Sequence, residues 1–388
     1  MKICFICNEY PPARHGGIGS LTRTLGRALV EAGNQVRVIG FCSQDEAAPD
    51  MESDHGVSVH RFKMSYRPLE WVRARYFLYS TVARWVQAGL VDLVEAPDYQ
   101  GLAAGWPALP IPVIIRMHGS STYFAAEMGK RPDAAMSLIE GASLRRGNFL
   151  CSCSRYTAER SRHLFRLGES KIAVLHNPVA TEASLTETRR CEDQVVFSGT
   201  LTAKKGVSSL VRAWAKVLES CPQAKLQIFG KDGRTESGSS MKDHLISLVP
   251  PHVQNTIHFH GHVDFAQLRS VFRSATVAVF PSYSEAFALA PMEAMAEGCP
   301  TIYSQRASGR ELIQDGENGL LVDPDNPNAI ADAIIKIFTQ HQIAKELARK
   351  GRESIESHFS LNVLLARNIQ FYLDCLRSFS EGLTQPTH

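Results

Sequence analysis

A chain of 388 residues is longer than a single ordinary hydrophobic core supports, so two domains are expected. With 44% hydrophobic and 21% charged residues the composition is that of a globular protein in water, and no apolar run reaches the roughly 18–20 residues a membrane helix needs. A net charge of only +3 gives no ground for a nucleic-acid partner, and nine cysteines scattered from Cys4 to Cys375 fit a reducing cytoplasm.

The opening Met-Lys-Ile-Cys-Phe-Ile-Cys is interrupted too soon by Asn8 and Glu9 to read as a signal peptide. It reads as a first strand, Lys2–Cys7, and Cys4-x-x-Cys7 is then strand filling; a redox pair would need a helix N-terminus to lower its pKa. A glycine turn leads to an amphipathic helix from about Gly19 to Ala32, ended by Gly33. Strands follow at Gln35–Gly40 and Val57–Phe62, then a long helix from about Leu69 to Gln87, then strands at Leu93–Glu95, Val113–Met117, Phe149–Ser152 and Ile172–Leu175. The pattern restarts with a strand at Val195–Ser198 and a helix over Val207–Glu219. Further strands are expected at Lys225–Phe229, Ile257–Phe259, Val277–Phe280 and Thr301–Tyr303. Short apolar strands alternating with helices predict doubly wound parallel sheets. The expected division is 1–178, 179–360 and a C-terminal helix from 361 that packs back on the first domain. The linker is sought in His176-Asn-Pro-Val179 and the polar stretch 181–193. Two such domains would face each other across a cleft at the carboxyl ends of their strands.

The most informative stretch is Pro281-Ser-Tyr-Ser-Glu-Ala-Phe-Ala-Leu-Ala-Pro-Met-Glu293. Glu285 falls in a strand-to-helix loop, and Glu293 about one turn inside the helix, on the order of 6 Å further along its axis. Between them lies a helix N-terminus, where free amides and the dipole favour an anion. Acid, anion hole and acid in a row suit a ligand with hydroxyls at both ends and phosphate in the middle, as in a nucleotide sugar.

Taken together, Tyr10-Pro-Pro with Gly16-Gly-Ile-Gly19, His118-Gly119, His176-Asn-Pro178, Gly199-x5-Lys205-Gly206, Glu285-x7-Glu293 and Asp315-Gly-Glu-Asn-Gly-Leu-Leu-Val322 resemble the retaining, nucleotide-sugar-dependent glycosyltransferases of family four. The resemblance runs nearly end to end and implies the GT-B fold of two Rossmann-like α/β domains. Departures from the family pattern are Thr200 where an arginine is common, Ala286 and Ala288 where glycines are frequent, and Ala307-Ser308 in place of a glycine pair.

By resemblance, His118, Lys205 and Glu285 are the catalytic candidates: His118 contacts the transferred sugar, Lys205 neutralises the departing phosphate, and Glu285 accepts hydrogen bonds from sugar hydroxyls. Donor binding falls to Gly16, Gly17, Gly199, Thr200, Lys205, the amides of Phe287, Ala288 and Leu289, and Glu293 at the ribose. Read without the resemblance, the Gly16-Gly17 loop is equally a plain tight turn. Glu95, Asp98 and Arg116, at the ends of two strands, are candidates for an acceptor. The helix Leu69–Gln87, with Leu69, Val72, Tyr76, Tyr79, Ala83 and Val86 on one face and arginines elsewhere, either packs that face on the core or lies on a lipid surface.

Asp323-Pro-Asp325 spells a metal motif of another fold, but its place before a helix makes Asp325 or Asn326 a cap, and no essential metal or other cofactor is expected. The partners implied are a nucleotide diphosphate sugar, a UDP-sugar before a GDP-sugar, and a hydroxyl-bearing acceptor: glycan, lipid-linked or small molecule. The location implied is cytoplasmic, with peripheral contact at the inner face of a membrane left open. The alternatives are a nucleotide-sugar epimerase or glycan phosphorylase on the same scaffold, and a catalytically silent sugar-binding protein.

Overall fold

The computed structural model describes residues 1–388 except 14–15, 46–47, 65–67, 183–190, 192 and 383–388, and only the backbone of 68–70. Most of the polar stretch 181–193, where a linker was expected, therefore lies outside the described residues. The chain forms two compact units, one of Met1–Pro178 with Leu361–His388 and one of Val179–Ser360.

The first unit carries β1 (Lys2–Ile6), β2 (Gln35–Ser43), β3 (Met51–Asp54), β4 (Val57–Met64), β5 (Leu93–Pro97), β6 (Val113–Met117), β7 (Phe149–Ser152) and β8 (Ile172–Val174). They form one sheet in the order β3-β4-β2-β1-β5-β6-β7-β8. Its strands are parallel except β3, which runs antiparallel to β4. β5 and β6 are buried along their whole length, which is why their sequences show apolar runs and no alternation. One face of the sheet packs Leu78, Val82, Trp106 and Leu144; the other packs Leu25, Leu29, Tyr372 and Cys375, the last two from the C-terminal helix Leu361–Ser380.

Met51–Asp54 was not expected as a strand, because Met-Glu-Ser-Asp has no apolar alternation. Side-chain pairing and a tight turn hold it in place. Asp54 pairs with Val57 across a two-residue turn at His55 and Gly56, both at positive φ. Arg61 Nη2 reaches Glu52 Oε1 at 2.5 Å, and Asp54 accepts from Arg27 and, at 2.7 Å, from Tyr10 Oη.

The second unit holds β9 (Gln194–Ser198), β10 (Lys225–Phe229), β11 (Ile257–Gly261), β12 (Val277–Phe280), β13 (Thr301–Ser304) and β14 (Leu320–Val322). The sheet is wholly parallel, in the order β11-β10-β9-β12-β13-β14. Its core joins Val195, Phe197, Ile228, Val277 and Ile302 of the strands to Trp214, Leu210 and Ile334 of flanking helices. In both sheets the strand order reverses beside the first strand, between β1 and β5 in one and between β9 and β12 in the other. A crevice opens at the carboxyl ends of strands where connections diverge in this way, and ligands of doubly wound sheets bind there. Among the described residues no helix is long and apolar enough to cross a membrane.

Candidate active site

In the second unit the loops after β9 and β12 meet at that reversal. The chain leaves β9 through Gly199 and the exposed Thr200, makes a short 3-10 turn at Ala203–Lys205, and enters the helix Val207–Ser220. Gly206 joins the turn to the helix at φ 67°, and a Cβ there would sit 1.7 Å from the carbonyl oxygen of Pro281. Only glycine permits that approach. It brings the 281–285 loop against the turn, where Tyr283 N donates to the Lys204 carbonyl at 2.7 Å.

The consequence is a contact between two predicted residues: Lys205 Nζ donates to Glu285 Oε1 at 2.6 Å, with both side chains mostly buried. Glu293 lies on the helix Leu289–Ala296, half-buried, with no hydrogen bond or ion pair among the described residues. Burial pushes its carboxyl up to about 7, against the pull of Arg269 and Lys205. Lys205 is thus within electrostatic reach of both glutamates. No side chain caps the helix at Ala288, and its first turn holds no acidic residue, so the positive end of its dipole favours an anion. The neighbouring Ser284 is fully buried with its hydroxyl unbonded.

The far end of the same helix is locked by residues that sequence reasoning missed. Glu297 is buried and accepts from Arg269 and from Arg273, at 2.6 Å from Arg273 Nη2. Both arginines also reach Glu182, at 3.1 and 2.9 Å. Glu182 and Glu297 lie far in sequence from Arg269 and Arg273, and no local pattern would have paired them. Asp323 and Asp325 both pair with Arg306, and Asn326 Oδ1 caps the next helix by accepting from Ala329 N at 3.1 Å.

In the first unit, Gly16 and Gly17 stand exposed at the start of the helix Gly17–Glu31, but the Gly16 amide is bonded to Glu9 Oε2 at 3.1 Å. His118 follows β6. Its imidazole is half-buried, makes no hydrogen bond among the described residues, and is driven down to about 3 by burial and the nearby Arg116, so it is neutral. Asp98 follows β5, fully buried, with Oδ1 accepting from His118 N at 2.8 Å and Oδ2 without a partner.

Two acceptor candidates are corrected. Glu95 and Arg116 lie inside β5 and β6 and are spent on each other: Arg116 Nε and Nη2 reach the two Glu95 oxygens at 2.8 and 3.0 Å. Arg116 also donates to Asn368 Oδ1 at 2.6 Å, and Tyr372 Oη donates to Glu95 Oε2 at 2.8 Å. Fully bonded and buried, the pair fastens the C-terminal helix and has no group to offer an acceptor. A second correction concerns the helix Pro68–Gln87. Tyr79, Ala83 and Val86 of the expected face do pack on the core, but the fully buried stripe is Ala74, Leu78, Thr81 and Val82, and Val72 and Tyr76 are exposed. The stripe is offset because Arg75 is buried: it stacks on Trp71 and donates to the Gln100 and Gly101 carbonyls, and burial lowers its guanidinium to about 9. Cys4 and Cys7 are buried free thiols raised to about 12 and about 11, which makes both unreactive.

An acid-and-lysine cluster beside an uncapped helix lies at the reversal of a doubly wound sheet, where enzymes of this architecture bind their ligands. The comparisons narrow the class. Residues 15–183 match Glycosyltransferase Family 4, and residues 192–340 match Glycosyl transferases group 1. The chain belongs to these glycosyltransferases and has their GT-B fold. Glycogen synthase of Mycobacterium tuberculosis is 26% identical over 97% of this chain and 95% of its own. Among solved structures, sucrose-phosphate synthase from Thermosynechococcus elongatus superposes with a TM-score of 0.81 at 22% identity, covering 97% and 99% of the two chains. Anabaena HepE, solved with UDP and glucose, superposes at 0.73 and 16% identity, covering 96% and 100%.

Proposed function

We propose that this glycosyltransferase moves a hexose or N-acetylhexosamine, with retention of configuration, from a nucleotide diphosphate sugar to an acceptor hydroxyl. A UDP-sugar is the favoured donor and a GDP-sugar the next. The observation that carries the reading is the Lys205–Glu285 pair, with the unpartnered Glu293 on the adjoining helix. The structure of Anabaena HepE with UDP and glucose, a protein of the same fold, supports a nucleotide sugar as the ligand.

In this reading the second unit takes the donor and the first takes the acceptor. The diphosphate lies on the amides of Phe287, Ala288 and Leu289 and on the Gly199–Thr200 turn, and Lys205 swings from Glu285 to the phosphate. Negative charge grows on that phosphate as the sugar–oxygen bond breaks, so a fixed cation there stabilises the transition state more than the ground state. Glu285, released, accepts hydrogen bonds from sugar hydroxyls, and Glu293 accepts them from the ribose. The neutral His118 offers a hydrogen bond to the transferred sugar without taking its proton. The departing phosphate draws the acceptor proton. Lys205 does the work of a counter-ion, so no metal is required.

Lys205→Ala and Glu285→Ala are each expected to cut transfer from sugar nucleotides well over tenfold; removing one transition-state donor typically costs about 10²–10³. Asp323→Ala and added EDTA are expected to leave it unchanged. Steady-state rates on UDP- and GDP-sugars check this; equal, mild losses in all three variants, or abolition by EDTA with recovery on magnesium, would refute it.

A further inference from the structure

His118 presents an imidazole with no hydrogen-bond partner of its own among the described residues, so its side chain is aimed by the backbone that carries it. That backbone is held on both sides by buried carboxylates. Upstream, Asp98 Oδ1 accepts the His118 amide at 2.8 Å, and the Asp98 amide donates to the Arg116 carbonyl at 3.0 Å, tying the end of β5 to the end of β6. Downstream, Glu140 on the helix Ala134–Arg146 is wholly buried; it accepts Ser121 N at 2.8 Å, Thr122 N at 3.0 Å and Thr122 Oγ1 at 2.6 Å. Gly119 lies between the two anchors at φ 87°, where a Cβ would strike the Phe124 ring at 2.9 Å. The segment from His118 to Thr122 is therefore anchored at both ends.

Asp98 is an expensive anchor. It is fully buried, its Oδ2 has no partner among the described residues, and burial with Glu140 nearby raises its carboxyl to about 7. A buried oxygen left unbonded destabilises the fold. An asparagine would hold the same amide without burying an ionisable group.

We propose that Asp98 is a positioning residue for His118: by holding the His118 amide it sets the direction in which the imidazole meets the transferred sugar. Full burial takes Asp98 out of direct contact with an acceptor, the role expected from sequence. The inference rests on the proposed function, in which His118 touches the sugar.

The test compares Asp98→Ala, which removes the anchor, with Asp98→Asn, which keeps an oxygen for the His118 amide. Two readouts are taken on the full chain. The first is the His118 Cε1–H resonance, identified by its loss in His118→Ala, with no substrate present. The second is kcat and KM for whichever of UDP-glucose, UDP-N-acetylglucosamine and GDP-mannose the wild type consumes. Asp98→Ala is expected to shift the His118 resonance and lower kcat about tenfold or more, within the range for a misaimed group, with KM little changed. Asp98→Asn is expected to restore both. An unshifted resonance in Asp98→Ala, or an Asp98→Asn variant as impaired as Asp98→Ala, overturns the inference. Should Asp98→Ala fail to fold, Asp98→Ser, whose hydroxyl is too short to reach the amide, replaces it with the same expected results. A wild type that consumes none of the three donors counts against the proposed function, while the resonance still decides whether Asp98 sets the imidazole.

Discussion

In the proposed reading, burial and ligand binding pull Glu293 in opposite directions. Half-buried and unpaired, it is raised to about 7, so near neutrality it is partly protonated in the free protein. A ribose hydroxyl is held better by a carboxylate acceptor than by a carboxylic acid. Ligand binding should therefore strengthen as pH rises through 7 and weaken below it. The signature is a nucleotide Kd, measured by calorimetry between pH 6 and 8, that tightens with pH in the wild type more than in Glu293→Gln. The nucleotide's own phosphate ionisation is common to both proteins and cancels in that comparison. Identical slopes would mean that Glu293 does not face the ligand. The folded-state sign is consistent: a carboxyl raised by burial adds stability fully only below its unfolded pKa and loses it as pH rises through about 7. A ligand that pairs with the ionised form offsets that loss.

At the scale of elements, the same kind of group plays the opposite part. Glu95 and Arg116 satisfy each other, and Asn368 and Tyr372 complete the network from the C-terminal helix. Breaking one partner of such a pair leaves a buried charge uncompensated, at about 3–5 kcal/mol. Arg116→Met should accordingly lower the melting temperature and expose the helix Leu361–Ser380 to protease, and Glu95→Gln added to it should recover part of the loss. A melting curve unchanged in Arg116→Met would show that the network is not what fastens the helix. Sequence could place these residues on adjoining strand ends, since apolar runs predict buried parallel strands. Their partner lies about 250 residues away, and no local pattern carries that distance. The same limit explains the partly misplaced face of Pro68–Gln87: periodicity put Arg75 off the apolar face, whereas Trp71 and two carbonyls after β5 draw it inside.

At the scale of the whole molecule, the chain carries two sheets that each reverse strand order once, and the proposed division of labour gives the donor to one and the acceptor to the other. The Glu285–Glu293 spacing was legible because strand, loop and helix start are contiguous, and so were the two α/β repeats. The Lys205–Glu285 contact was not, since it depends on how closely Gly206 lets Pro281 approach. In the proposed reading the nucleotide of the donor is held by Val179–Ser360, and His118→Ala in the other unit should leave nucleotide binding alone. In a thermal-shift series with UDP, GDP, ADP and dTDP, UDP is expected to raise the melting temperature most. A ligand at 100 times its Kd adds about 2.7 kcal/mol of stability. Glu293→Ala should abolish most of that shift, while His118→Ala should keep it and still lose transfer. If His118→Ala also lost the shift, the nucleotide would have to be held by the first unit as well, and the assignment of donor to one unit and acceptor to the other would fall.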